Sequence, residues 1–188
     1  MIRKIAALVA LAAILAFAVC PARADDNSRM GVETLKGLHG VHVIVEDLDS
    51  NLTKDGVTVD KIQSNVDDQL KKAGITSMDE DTAKDDPARP YLDVCVTAIK
   101  SDDGKVYAYF INIQLFQRVT LQDGESKALG VTWQVGCVGY IAPSDVTNMY
   151  NKVTDEVGEF VDDFNSENPA STSRNTTPAK KPTKLASR

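Results

Sequence analysis

Few residues in this sequence have the types and spacing to do chemistry. His39 and His42 are its two histidines, spaced H-x-x-H where a loop runs into an expected strand, and Glu46 falls on the same side of that strand as His42. Two imidazoles and a carboxylate can hold a zinc ion with a fourth position open. The helical setting that gives H-E-x-x-H its meaning is missing, so this trio is a candidate metal site on residue type alone. Beyond Cys20, the cysteines are Cys95 and Cys137. In an oxidising compartment two such thiols are ordinarily paired. If their strands flank a third in a meander, however, they stand roughly 9.5 Å apart, whereas a disulfide needs Cα atoms within about 7 Å. Three outcomes stay open: the strand order brings them side by side, a bulge near Gly136 and Gly139 shifts one, or they remain separate thiols. Without a C-x-x-C, oxidoreductase chemistry is not expected.

The acidic runs Asp79-Glu80-Asp81 and Asp85-Asp86 lack the Asp/Asn/Gly spacing of a calcium loop. The chain has no G-x-S-x-G, P-loop or G-x-G-x-x-G stretch and no assignable Ser, His and Asp grouping, so no cofactor and no catalytic residue is expected, and a hydrolase is the least supported class.

The elements that must position these residues start with Lys105 to Leu121, KVYAYFINIQLFQRVTL, which lacks Gly and Pro and alternates with a period of two. It reads as the central strand. Tyr107, Tyr109, Ile111, Ile113, Leu115, Val119 and Leu121 share one side, interrupted by Gln117, and that side must meet a core. The opposite side mixes Phe110 and Phe116 with Asn112, Gln114 and Arg118. Such a surface suits contact with a partner or a second copy. The expectation is that Phe110, Phe116, Arg118 and Trp133 form this open face, the rings supplying burial and Arg118 a directional polar contact.

Around that strand, Val41 to Leu48 and Tyr91 to Lys100 alternate as strands, and Asp102-Asp103-Gly104 supplies a hairpin turn. Ile75 to Met78 makes a short strand and Leu129 to Ile141 another, with Gly130, Gly136 and Gly139 marking a bulge or close packing. Thr58 is a helix N-cap ahead of a stripe of Val59, Ile62, Val66, Leu70 and Ala73, ended at Gly74. Pro143 and Ser144 open a last helix with Val146, Met149, Tyr150, Val153, Val157, Phe160, Val161 and Phe164 on its apolar face. The stretch after Leu48, as far as Gly56, and that from Asp79 to Pro90 read as loops. The fold class is α+β, in the order β-α-β-β-β-β-α, with a mostly antiparallel sheet of about five strands and two helices packed on one face.

The ends differ from this body. Arg3 and Lys4, an apolar run from Ile5 to Val19 and the A-x-A of Ala22-Arg23-Ala24 form a secretory signal over residues 1–24, cleaved near Ala24. The run falls short of the about 20 residues a membrane span needs. Residues 25–40 read as a lead-in, residues 41–165 as one domain, and residues 166–188, rich in Ser, Thr, Pro and Lys, as a disordered tail. From Asp25 to Asn165 the chain carries 26 acidic and 13 basic side chains, a net charge of −13. That argues against nucleic acid as a partner. The basic tail is suited to touching an anionic envelope polymer.

With these elements in place, the chain resembles small exported bacterial proteins of unknown function. The resemblance lies in GVTVDKIQSNVDDQLKKAGI, YLDVCVTAI and TWQVGCVGYI, with Ala73-Gly74-Ile75, Thr132-Trp133 and the ending Phe160 to Pro169 its most distinctive pieces. It covers most of Val41 to Pro169. More distantly, the layout is similar to the periplasmic α/β domains of the curli secretion-channel lipoprotein and of the amino-terminal part of the Tol-Pal β-propeller protein. The chain lacks the lipobox and channel segments of the first and the propeller of the second. The resemblance implies protein contact in the envelope, with an envelope protein or a second copy as partner, more than catalysis. A periplasmic or secreted binding module is therefore expected, with a small-ligand or metal-binding protein as the alternative.

Overall fold

The structure, a computed structural model, describes residues 31–169. The signal segment with its cleavage site, the start of the lead-in and the tail from residue 170 lie outside the described residues. Strand β1 (Gly40–Val45) is followed by two helices, α1 (Ser50–Lys54) and α2 (Val59–Lys72), then strand β2 (Thr76–Ser77) and helix α3 (Glu80–Asp85). Strands β3 (Tyr91–Lys100), β4 (Tyr107–Thr120) and β5 (Lys127–Ile141) come next. A 3₁₀ turn (Pro143–Asn148) leads into the final helix, α4 (Met149–Glu167). The fold is α+β.

The five strands form one sheet in the order β2-β1-β3-β4-β5. β1 runs parallel to both β2 and β3, and β3, β4 and β5 form an antiparallel meander. The sheet is thus mixed, and its middle strand is β3; β4, the expected centre, is second from the edge. Sequence alternation marks a strand as half-buried but carries no information on which neighbour lies on either side.

Helix α2 forms as its sequence dictates. The Thr58 side chain accepts from Lys61 N at 3.3 Å, and Ile62, Val66 and Leu70 bury one face. At its end Gly74 adopts φ +77°, with Ile75 N donating to Leu70 O at 2.9 Å and Gly74 N to Lys71 O at 3.1 Å. That pair of bonds closes the helix, with Ile75 buried beside Leu70. α2 and α4 both lie on one side of the sheet, where Val41, Val43, Leu92, Val94, Ile111, Ile113 and Leu115 meet Val66, Met149, Val157 and Phe160. A fully buried Tyr107 closes one end of the core, its hydroxyl donating to Asp55 Oδ2 at 2.8 Å; the same oxygen accepts from Lys100 Nζ at 2.8 Å.

Three stretches depart from expectation. The segment read as a lead-in buries Leu35 and Leu38 in the core. The acidic run at residue 79 starts α3: Asp79 accepts from Thr82 N at 2.8 Å, Glu80 and Asp81 fill the first turn, where negative charge is favoured, and Glu80 pairs with Lys84 at 2.6 Å. α1 starts likewise on Asp49, which accepts from Asn51 N at 2.8 Å. Third, α4 continues past Asn165 to Glu167, and Asn168 closes it. Its amide donates to Phe164 O at 3.0 Å and Leu35 O at 2.8 Å, and its carbonyl accepts from Gly37 N at 2.7 Å. Packing therefore reaches beyond both ends of residues 41–165, to Leu35 on one side and Asn168 on the other. Among the described residues, no helix is long and apolar enough to cross a membrane.

Candidate interaction face

The side of the sheet away from α2 and α4 is built from alternate residues whose rows follow from the register. At one end Ile99, Ala108 and Tyr140 lie side by side, followed by Thr97, Phe110 and Val138. The middle rows are polar: Cys95, Asn112 and Gly136, then Asp93, Gln114 and Gln134, with Gln114 Nε2 donating to Gln134 Oε1 at 3.2 Å. At the far end Tyr91, Phe116 and Val131 align, and Arg118 faces Leu129. Helix α3 sits against β1, its Glu80 near His42 and its Lys84 near Tyr91. The first end is the most open: Ile99 is 71%, Val138 78%, Tyr140 80% and Phe110 43% exposed.

Phe110, Phe116 and Arg118 lie on this face as their alternation requires. Trp133 does not. It is 5% exposed and packs on the helix side, edge-on to Phe160 at 5.1 Å, with its Nε1 donating to Asp163 Oδ2 at 2.9 Å. The reason is a bulge. Leu115 pairs with Trp133 and Phe116 with Val131, so Thr132 is an extra residue in β5. Its Oγ1 donates to the Oε1 of the buried Gln117 at 2.6 Å, which satisfies the one polar side chain that interrupts the core face of β4. The bulge lies at Thr132 rather than near Gly136 and Gly139. Those two glycines are sites of close approach: a Cβ at Gly136 would stand 2.5 Å from Ile111 O, and one at Gly139 would meet the Tyr109 ring.

Ile99, Val138, Tyr140, Leu129, Val131 and Ile44 also belong to the exposed apolar set and were missed by sequence reasoning. In β5 the sequence VTWQVGCVGYI is apolar at odd and even positions alike, so alternation alone could not sort them. The usable signal was the absence of charge: from Ala128 to Ile141 no Asp, Glu, Lys or Arg occurs.

Cys95 and Cys137 are free thiols separated by β4. Cys95 pairs with Asn112 on the open side and Cys137 with Ile111 on the core side, so they occupy opposite faces. Burial pushes both thiols up. Cys137, also beside Glu156, is raised to about 11, and Cys95 is raised further by Glu46. Neither is poised as a nucleophile, which requires a lowered value. Glu46 thus belongs with Asp93 and Cys95, and its charge, after burial, raises the Asp93 carboxyl. His39 is exposed, and a ring nitrogen of His42, Nδ1, lies 2.9 Å from Met78 O. His39, His42 and Glu46 are not gathered: among the described residues no group of three or more His, Cys, Asp or Glu side chains is placed to hold a metal ion.

No family model and no curated protein matches the chain. A solved structure described as a minor lipoprotein from Acinetobacter baumannii is similar at a TM-score of 0.34 and 10% sequence identity, covering 70% of this chain and 97% of that one. What the face can do follows from its own side chains.

Proposed function

We propose that this chain is a non-catalytic binding or assembly module of the bacterial envelope, which uses the open sheet face and the adjoining edge of β5 to contact a protein partner or a second copy of itself. The observation that carries the reading is the exposed apolar end of the face, Ile99, Phe110, Val138 and Tyr140, beside an edge strand with no charge along 14 residues. Edge strands left to solvent usually carry Lys or other charged residues, or Pro, that block pairing with a further strand. β5 has none of these over that length. Thr34 Oγ1 already donates to Thr132 O at 3.3 Å, so an added strand would satisfy the outer backbone groups beyond Trp133, while the apolar rings beside it supply burial. On this reading the signal at residues 1–24 exports the chain, cleavage near Ala24 releases it to the periplasm or beyond, and the basic tail touches anionic envelope polymer.

The test pairs sedimentation of the mature chain over a concentration series with crosslinking in envelope extract. Wild type should form a defined dimer or a complex with one protein. The Val138→Glu/Tyr140→Glu variant should fold with unchanged circular dichroism and lose that species. A wild type that stays monomeric and captures nothing, or a variant that associates as well as wild type, overturns the reading.

A further inference from the structure

At the opposite end of the open face, Arg89, Arg118 and Lys127 line a cleft of about 230 Å³ together with Ala128 and Leu129. Their convergence is a product of folding: Arg118 and Lys127 come from the two strands of the β4–β5 hairpin, and Arg89 comes from the loop before β3. The loop is pinned there because Arg118 N donates to Ala88 O at 2.6 Å, and Asp86 holds its turn by accepting from Ala88 N at 2.7 Å. Arg89 itself takes φ +48°, a left-handed conformation rare for a residue with a side chain. None of the three cations is in an ion pair among the described residues, and Arg89 Nε is buried with no hydrogen-bond partner. In a body of net charge −13, three unpaired cations in one cleft, one with a buried donor unsatisfied, have no evident structural use.

We infer that this cleft binds the phosphate of a phosphomonoester, with Arg89 and Arg118 as donors, Lys127 as a further charge and Leu129 as the wall for the organic part. Guanidinium forks match phosphate oxygens in pairs, and a dianion suits three cations better than a single carboxylate does. The site is separate from the Val138 and Tyr140 end and stands without the protein-contact reading.

The test is calorimetric titration of the mature chain with glycerol 3-phosphate at low and physiological ionic strength. A parallel arm measures co-sedimentation with phosphatidylcholine vesicles with and without phosphatidic acid. Arg118→Ala and Lys127→Ala alter exposed side chains and avoid the strained Arg89 turn; Arg118→Ala should weaken binding by about tenfold or more. Binding should also weaken with salt. Glycerol 3-phosphate binding identifies a soluble phosphomonoester, and binding confined to phosphatidic acid vesicles identifies a lipid headgroup. The Val138→Glu/Tyr140→Glu variant should bind glycerol 3-phosphate or the vesicles as wild type does, which separates this site from the contact face. Absence of binding to both probes, or binding that survives both substitutions, overturns the inference.

Discussion

Trp133 Nε1 donates to Asp163 Oδ2 at 2.9 Å, fastening the edge strand to the last helix across 30 residues of sequence. With Phe160 against the indole, this contact makes Trp133 a core residue. Trp133→Ala should therefore cost about 3–5 kcal/mol in urea unfolding, the range for a large aromatic removed from a core. A residue on an open face would change stability by about 0.5 kcal/mol or less, and a loss that small would refute the assignment.

Asn168 links the end of α4 to the turn before β1 through two side-chain hydrogen bonds, to Leu35 and Gly37, and closes the helix with a third, to Phe164. Asn168→Ala should lower stability by about 1–2 kcal/mol, since net contributions of such bonds are modest. The same denaturation assay decides it. An unchanged midpoint would mean that the body ends before residue 168.

The thiols give a chemical readout. Each is raised by burial first, and Cys137 to about 11, so in a Cys95→Ala variant alkylation at pH 8 should be about a hundredfold slower than for an ordinary exposed thiol. The rate should climb steeply only as pH approaches 11. Mass spectrometry of the unreduced mature protein should show two free thiols; a loss of two hydrogens would contradict their placement on opposite faces.

Asp55 gives a pH-dependent one. Its hydrogen bonds to Lys100 first and Tyr107 second hold its carboxyl below the ordinary value of 3.8. As pH falls through that value the unfolded chain takes up the proton first, so the stability Asp55 contributes is complete above it and is lost on further acidification. Asp55→Asn should melt earlier than wild type at pH 7, with the gap closing towards pH 3. Parallel melting curves across that range would show that the contact contributes nothing.

How much of this was legible in the sequence varied with how local the cause was. Helix α2 was read from Thr58 to Gly74 because cap, stripe and stop all sit within one segment. Asp79 caps a helix by the same local chemistry, but six residues are too few to show a stripe, and its run of acids read as a solvated loop. The open face was legible in β4, whose two sides differ in polarity, and illegible in β5, whose sides do not. Arg89 gave no signal at all: it lies 29 positions before Arg118, among prolines and aspartates, and only the folded loop brings the two to one cleft.

The extra residue at Thr132 has a consequence for how β5 tolerates change in length. Leu129 and Val131 carry odd numbers and Val138 and Tyr140 even ones, yet all four point to the same side, because the strand is two half-strands of opposite phase joined at the bulge. Deleting Thr132 would remove one small polar residue and leave every aromatic ring and every Leu, Val and Ile in the strand. It would nevertheless turn one half inside out, putting Trp133 in water or Val131 and Leu129 under the helices, so the wet and dry sides of β5 depend on a count of residues more than on their kinds.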